Sequence, residues 1–259
     1  MRLKEQKNSG VTIGHLRTWA LVCATVGIVG MVIILRGVLG VDAGTTDAKM
    51  LELFDNDQTR NLMVAALICQ GVNACATVLF SLLLVEGSLH TRDFTKYLMR
   101  VGAVALVSEV LFDFATESVF LNLTTLNPVF GGLFSLVMLM FFMRYPDNSA
   151  GNIILRGVIT LAVLLWTRIL HIDEGACVVL MVSVLWNFRE KPALRLIFGI
   201  VAGLLCWPLF GAFYYVATPL AMILVHFYNG EKGSDFGWGR LVAYPALLLA
   251  AGVVRAVVF

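Results

Sequence analysis

Three acids recur at intervals of four inside one apolar run: Glu109, Asp113 and Glu117. On a helix that spacing stacks them on one face, a turn apart. An acid at the middle of a lipid-spanning helix costs about 2.5–3.5 kcal/mol on insertion scales, so Glu109 in particular needs a partner or a wet cavity. The chemistry open to such a group is proton transfer, as a general base or in a proton-linked site. A second set of ionisable residues, Arg168, His171, Asp173 and Glu174, falls in one short polar turn. His171 precedes Asp173 by two residues, which offers a base oriented by a carboxylate; Arg168 is placed to reach Asp113 or Glu117. A third set begins with Glu86 at the end of an apolar run and continues through His90, Thr91, Arg92, Asp93, Lys96 and Arg100.

Two readings stand for these groups. They line a polar site opening toward the outer half of a bilayer, or they form an ion-pair network that fastens three helices. For Glu117 and Glu174, which can reach water, the network is preferred; for Glu109 and Asp113 the readings stand level. Signatures of nucleophilic, metal and nucleotide chemistry are missing: no G-x-S-x-G, H-E-x-x-H, P-loop or dinucleotide glycine pattern occurs. The five cysteines sit in apolar runs with no zinc-ligand spacing, so they read as inert buried thiols and no metal is expected.

The elements that must position these residues follow from composition. Of 259 residues, 59% are hydrophobic and 14% charged, too few charges to cover a soluble surface. The expectation is an all-α, polytopic transmembrane bundle forming a single domain over 1–259. Nine spans are read, at 13–39, 62–84, 98–120, 129–143, 153–170, 175–188, 194–210, 212–227 and 241–259. The first apolar run is too long for a cleaved signal and reads as a retained span. Residues 1–12 become a basic cytoplasmic tail and 41–60 an acidic, solvated outer loop. With the N-terminus inside, fourteen of the 19 Lys and Arg fall on the inner side, as the positive-inside rule requires; the C-terminus is then outside. The net charge of +2 implies nothing about nucleic acid. All five tryptophans fall near span ends, where amphipathic rings prefer to sit. His226, alone in an apolar run, reads as a satisfied core residue. Trp207-Pro208-Leu209-Phe210-Gly211 and Tyr228-Asn229-Gly230 read as tight turns, and Gly27-x-x-Gly30 as a helix-packing signal.

Several of these segments resemble, in order and spacing, the TraX family of bacterial polytopic membrane proteins, named for a conjugal-transfer protein that acetylates the N-terminus of pilin. The central block is Leu84-Val85-Glu86-Gly87, His90-Thr91-Arg92, Lys96-Tyr97-Leu98-Met99-Arg100 and Ser108-Glu109-Val110-Leu111-Phe112-Asp113. Asn127-Pro128-Val129-Phe130, Asp173-Glu174-Gly175, Tyr228-Asn229-Gly230-Glu231-Lys232-Gly233 and Tyr244-Pro245 follow in the family's order, so the resemblance covers about residues 80–250. It implies a membrane acyltransferase of the bacterial inner membrane. Such a protein takes an acyl group from acetyl-CoA or another acyl-CoA and passes it to a protein N-terminus, as of a pilin-like partner, or to an envelope glycan. Thr91, Arg92, Lys96 and Arg100 would lie near the donor's phosphates and Glu109, Asp113, His171 and Asp173 near the chemistry, with Glu86, Arg168 and Asn229 completing the substrate-binding set.

The departures from the family pattern are specific. Leu16-Arg17-Thr18-Trp19-Ala20 fits the start of the first span, but Gly27-Ile28 stands where the family has Asp-His, and Tyr244-Pro245-Ala246-Leu247 replaces Tyr-Pro-Leu-His. Without both histidines the chain either uses another base (His171, Glu109 or Glu86) or does not catalyse. A catalytically degenerate relative that binds a membrane partner or lipid is the alternative. A proton-coupled transporter ranks third, since no broken-helix pair or inverted repeat is evident.

Overall fold

The computed structural model describes residues 10–42, 45–122, 124–231 and 239–259. Every regular element among them is helical. Helix α1, Ile13–Ile28, starts on a reciprocal cap between Thr12 and His15. It then continues as a ten-residue π-helical stretch, Val29–Val38. Helix α2 is Asp47–Asp55 and α3 is Asp57–His90, where the Asn56 side chain accepts from the Gln58 amide, 2.9 Å. Helix α4, Phe94–Glu117, is capped by Asp93. Helix α5, Pro128–Arg144, begins with Asn127 as cap and proline in its first turn, where a missing amide costs nothing. Helices α6, Ala150–Ile169, and α7, Gly175–Asn187, are joined by a five-residue turn. Helix α8, Pro192–Phe210, stops at Gly211, whose φ of 77° a side chain would resist. A 3₁₀ turn, Phe213–Ala217, leads into α9, Thr218–His226, and α10 is Gly239–Val258.

Among the described residues, four helices are long and apolar enough to cross a membrane: Ile13–Val38, Asp57–His90, Ala150–Ile169 and Pro192–Phe210. Helix α4 has the length but carries Glu109, Asp113 and Glu117. Pro128–Arg144, Gly175–Asn187, Phe213–His226 and Val242–Val258 are apolar but shorter. Outward faces are greasy, with Leu106 and Val107 on α4, Ile154 and Leu161 on α6, and Ile197 on α8 all exposed. An apolar exterior on this scale is the mark of a protein solvated by lipid.

Helix ends gather at two poles. At the first, the Val11 amide donates to Phe227 O at 3.0 Å and the Asn229 amide to Val11 O at 3.0 Å, while Tyr228 donates to Glu86. At the second, Arg36 pairs with Glu117 at 2.9 Å, and Arg255 donates to the carbonyls of Ala115 and Thr116. There too, backbone bonds Leu126 N to His171 O (3.1 Å) and Asp173 N to Leu126 O (2.8 Å) tie two links together. The main core joins α1, α3, α5, α7, α8 and α9. A smaller one, Val32, Phe112, Ala115 and Leu248, joins the π-helical stretch to α4 and α10. Helices α3 and α4 scarcely touch beyond their short link.

Several expectations are corrected. The 41–60 segment is no continuous loop, since α2 and the start of α3 fall inside it. Trp186 stands at the end of α7 as expected, but its ring is buried, 1% exposed, with the guanidinium groups of Arg189 and Arg156 at 4.2 and 5.3 Å. His226 is exposed rather than core. Residues 1–9 of the basic tail, and Lys232, Gly233 and Trp238, lie outside the described residues, as does the side chain of Arg240.

Candidate functional site

The α4 acids face inward, Glu109 4% and Asp113 1% exposed. Each, however, is committed to a separate partner. Glu109 Oε2 accepts from the Asn127 backbone amide at 2.9 Å and from its side-chain Nδ2 at 2.6 Å. Asn127 Nδ2 also donates to Ala105 O at 2.9 Å. Asp113 accepts from the Asn122 amide at 2.5 Å, and Glu117 holds Arg36. The ladder therefore fastens the descending 118–127 link and the end of the first helix to α4, and none of its three acids lines a cavity described below. The expected approach of Arg168 to Asp113 or Glu117 is overturned: Arg36 takes that place, and Arg168 lies over the Phe210 ring at 5.8 Å.

The polar turn between α6 and α7 supplies a different constellation. His171 and Glu174 hold the left-handed conformation, φ 48° and 53°, which costs of order 1–3 kcal/mol per non-glycine residue and clusters at functional sites. The turn is drawn into the bundle because α5 and α7 cross at two glycines: a Cβ on Gly131 would stand 2.6 Å from Gly175 Cα. Glu174 then meets α3. Asn73 Nδ2 donates to its Oε1 at 2.5 Å and Thr77 Oγ1 donates to its Oε2. Withdrawal from water pushes the Glu174 carboxyl above the ordinary range, as does the neighbouring Asp173, against the pull of the bonds from Thr77 and Asn73. Burial also raises Asp173, opposed by the Glu174 amide and the Arg36 charge.

Two cavities meet at this turn. One, of about 400 Å³, runs between α1 with its π-helical continuation, α3, α4, α5, α7 and α10. Its lining extends from Gln70 to Leu84 on α3, about 21 Å at 1.5 Å per residue. Polar side chains, among them Asn73, Thr77, Glu174, Tyr214 and Tyr244, stand in its middle; Phe80, Leu84, Val101 and Val104 line it toward the first pole, and Met31, Val32, Leu35, Phe112 and Leu248 toward the second. The other cavity, about 310 Å³, is lined by Arg168 and His171 and shares Asp173, Glu174 and Tyr214 with the first. A carboxylate thus stands where an apolar slot meets a polar chamber.

Of the residues singled out from sequence, the structure brings Arg168, His171 and Asp173 together and leaves the others apart. Glu86 accepts from Tyr228 Oη at 3.1 Å and lies 3.4 Å from His90 Nδ1 at the first pole. Thr91, Arg92, Lys96 and Arg100 belong to the α3–α4 link and the start of α4; Thr91 donates to Asp93 O, Lys96 pairs with Asp93, and Arg92 and Arg100 are exposed. The Oδ1 of Asn229 shapes its own turn by accepting from Glu231 N. Glu174, preferred as a structural ion pair on sequence grounds, is the acid at the junction, and Asn73 and Thr77 were not singled out. Two polar residues one turn apart in the apolar run of α3 are the signal that would have found them.

Greasy helices around an internal cavity define a polytopic membrane protein. The chain belongs to the TraX family: the family model described as TraX protein matches residues 55–255. The comparisons with curated proteins and with solved structures return no match. Two of the positions where the family pattern departs, Gly27 and Ile28, line the slot, as does Tyr244 of the last motif.

Proposed function

We propose that this TraX-family protein transfers an acyl group to an amine or hydroxyl that enters from the second pole, with Glu174 accepting the proton. The observation that carries the reading is the placement of one carboxylate, fixed by Asn73 and Thr77, at the meeting of the slot and the polar chamber. The acceptor nitrogen or oxygen attacks the acyl carbonyl carbon and forms the new C–N or C–O bond. Its proton passes to Glu174 and then to the leaving sulfur or oxygen as the donor's C–S or C–O bond breaks. His171 and Arg168, lining the chamber, position the acceptor. The distribution of Lys and Arg supports nine spans with the first pole cytoplasmic, in a bacterial inner membrane. An acyl-CoA is the donor suggested by the family resemblance, its phosphates near Arg92, Lys96 and Arg100, and a pilin-like or other envelope protein is the acceptor.

A second reading is favoured by the side chains at the histidine positions. Ile28 lines the slot and Leu247 takes the other place, which suits a relative that binds a lipid or membrane partner without turnover. The test is transfer of label from radiolabelled acyl-CoA or acyl phospholipid to envelope fractions by purified protein. Glu174→Gln is expected to lower the rate about 100-fold or more, with a smaller loss in His171→Ala. No transfer to any fraction, together with a protein that co-purifies stoichiometrically, replaces catalysis by the binding reading.

A further inference from the structure

We propose that the polar chamber binds the ethanolamine-phosphate head of a phospholipid, its phosphate at Arg168 and His171 and its ammonium at Asp173 and Glu174. The assignment goes beyond the acyl-transfer reading and rests on it in one respect: a bound lipid amine becomes a second class of acceptor beside a protein amine.

The chamber carries opposite charges at two levels. Arg168 and His171 are exposed and form its rim. Asp173 and Glu174 lie deeper, on a floor shared with Cys177 and Tyr215, which are 1% and 2% exposed. One tight turn fixes all four ionisable groups: His171 N donates to Arg168 O at 3.2 Å, Ile172 N to Thr167 O at 3.0 Å and Gly175 N to Ile172 O at 3.1 Å. Among the described residues the Arg168 guanidinium pairs with no carboxylate and lies over the Phe210 ring, and the His171 ring makes no hydrogen bond.

The acids have no counter-ion of their own among the described residues. Arg36, whose charge acts on Asp173, is held by Glu117 at 2.9 Å, and Glu174 meets the neutral donors Asn73 and Thr77. Burial makes two bare carboxylates unfavourable, and an ammonium beside them supplies the missing positive charge. A wholly anionic head satisfies the guanidinium and leaves the acids as they are; a simple amine does the reverse. A head with an ammonium two carbons from a phosphate ester satisfies both.

The surroundings of the mouth select a lipid as the carrier. Helices α6 and α8 flank α7 and scarcely meet, and Arg168 over Phe210 spans the gap between their ends. Trp166 and Trp207 are exposed in the last turns of these two helices, and exposed indoles sit at the headgroup level of a bilayer. Ile169, Leu209 and Phe213 are exposed beside them, apolar flanks along which acyl chains stay in the membrane while the head turns inward. When the amine is acylated, one ammonium proton goes to water and the neutral nitrogen attacks the acyl carbonyl carbon. The amide C–N bond forms as the donor's C–S or C–O bond breaks, and the second proton passes through Glu174 to the leaving sulfur or oxygen.

Delipidated protein in dodecyl maltoside, without acyl donor, is titrated with dihexanoyl phosphatidylethanolamine, dihexanoyl phosphatidylglycerol or an alanyl-glutamate peptide, and bound ligand is counted by native mass spectrometry. Phosphatidylethanolamine is expected to bind about tenfold or more tightly than phosphatidylglycerol. Arg168→Ala should weaken its binding about tenfold, and Glu174→Gln should bring the two lipids to nearly equal affinity. Lys191→Ala, exposed at the first pole, should change neither. Arg168 is itself exposed, so its variant reports even where Glu174→Gln fails to fold. Equal affinity for the two lipids overturns the proposal, as does a preference that Arg168→Ala leaves intact. Binding of the peptide with no preference between the lipids overturns it in favour of a protein N-terminus. Adding an acyl donor then separates the two readings. A headgroup preference without transfer to lipid or protein retains the ligand and removes the catalytic step; transfer to a protein amine without a headgroup preference does the reverse.

Discussion

At the scale of single residues, two buried acids with similar sequence settings do different work. Glu109 accepts two hydrogen bonds from Asn127, whose side chain also donates to Ala105 O, and together they tie the start of α5 to α4. Asn127→Leu removes the side-chain donor, leaving only the backbone amide on that carboxylate, and should cost about 1–3 kcal/mol, read as a lower melting temperature in detergent, with transfer per folded molecule retained. Glu174 is the group whose proton the proposed transfer uses. In the unfolded chain it loses its proton in the ordinary carboxylate range; in the folded chain burial raises that value. Below the ordinary range both states are protonated and nothing changes. Between the two values the folded state keeps a proton that the unfolded state has shed, so stability falls as pH rises and the loss is complete above the folded value. Thermal unfolding followed from mildly acid to alkaline pH should show this decline in the parent and a shallower one in Glu174→Gln. The spacing of the α4 acids made their burial legible in the sequence. Their partners were not, because Asn122 and Asn127 arrive by a link folding back. Glu174 was read as water-facing since a polar turn ordinarily is; only the pairing of Leu126 with the turn and the glycine crossing draw it inward.

Among elements, the α5–α7 crossing sets the site. Gly131 and Gly175 let two backbones meet, and α7 starts immediately after Glu174. Gly131→Ala places a methyl against backbone that cannot rotate away and should destabilise by about 1–3 kcal/mol. Because the same shift moves Glu174 from Asn73, transfer per folded molecule should fall as well, a pairing of effects that Asn127→Leu lacks. Nine apolar stretches in the sequence anticipated helices in the right order, as hydrophobic length alone can do. The π-helical continuation of α1 had no such signal: Leu39 N bonds back to Ile34 O, a choice made by packing against α3, α4 and α10 rather than by local preference. Helix α2 was hidden for the opposite reason, its acidic sequence reading as a solvated link.

For the molecule as a whole, charge distribution predicts which pole meets the cytoplasm. Cysteines introduced at exposed Leu121 and Tyr145 mark the second and first poles. A membrane-impermeant maleimide on intact cells should label Leu121→Cys at once and Tyr145→Cys only after permeabilisation; the opposite pattern inverts the topology and the direction from which the acceptor comes.

The weak seam between α3 and α4 has a consequence for how any occupant is measured. Lateral entry between two helices that barely touch would let an amphiphile of the surrounding lipid reach the slot without crossing water. Its loading is then governed by its mole fraction in the membrane, not by its aqueous concentration. Diluting a labelled amphiphile into more bilayer at fixed total amount should empty the slot, whereas diluting the same bilayer into more buffer should leave it filled.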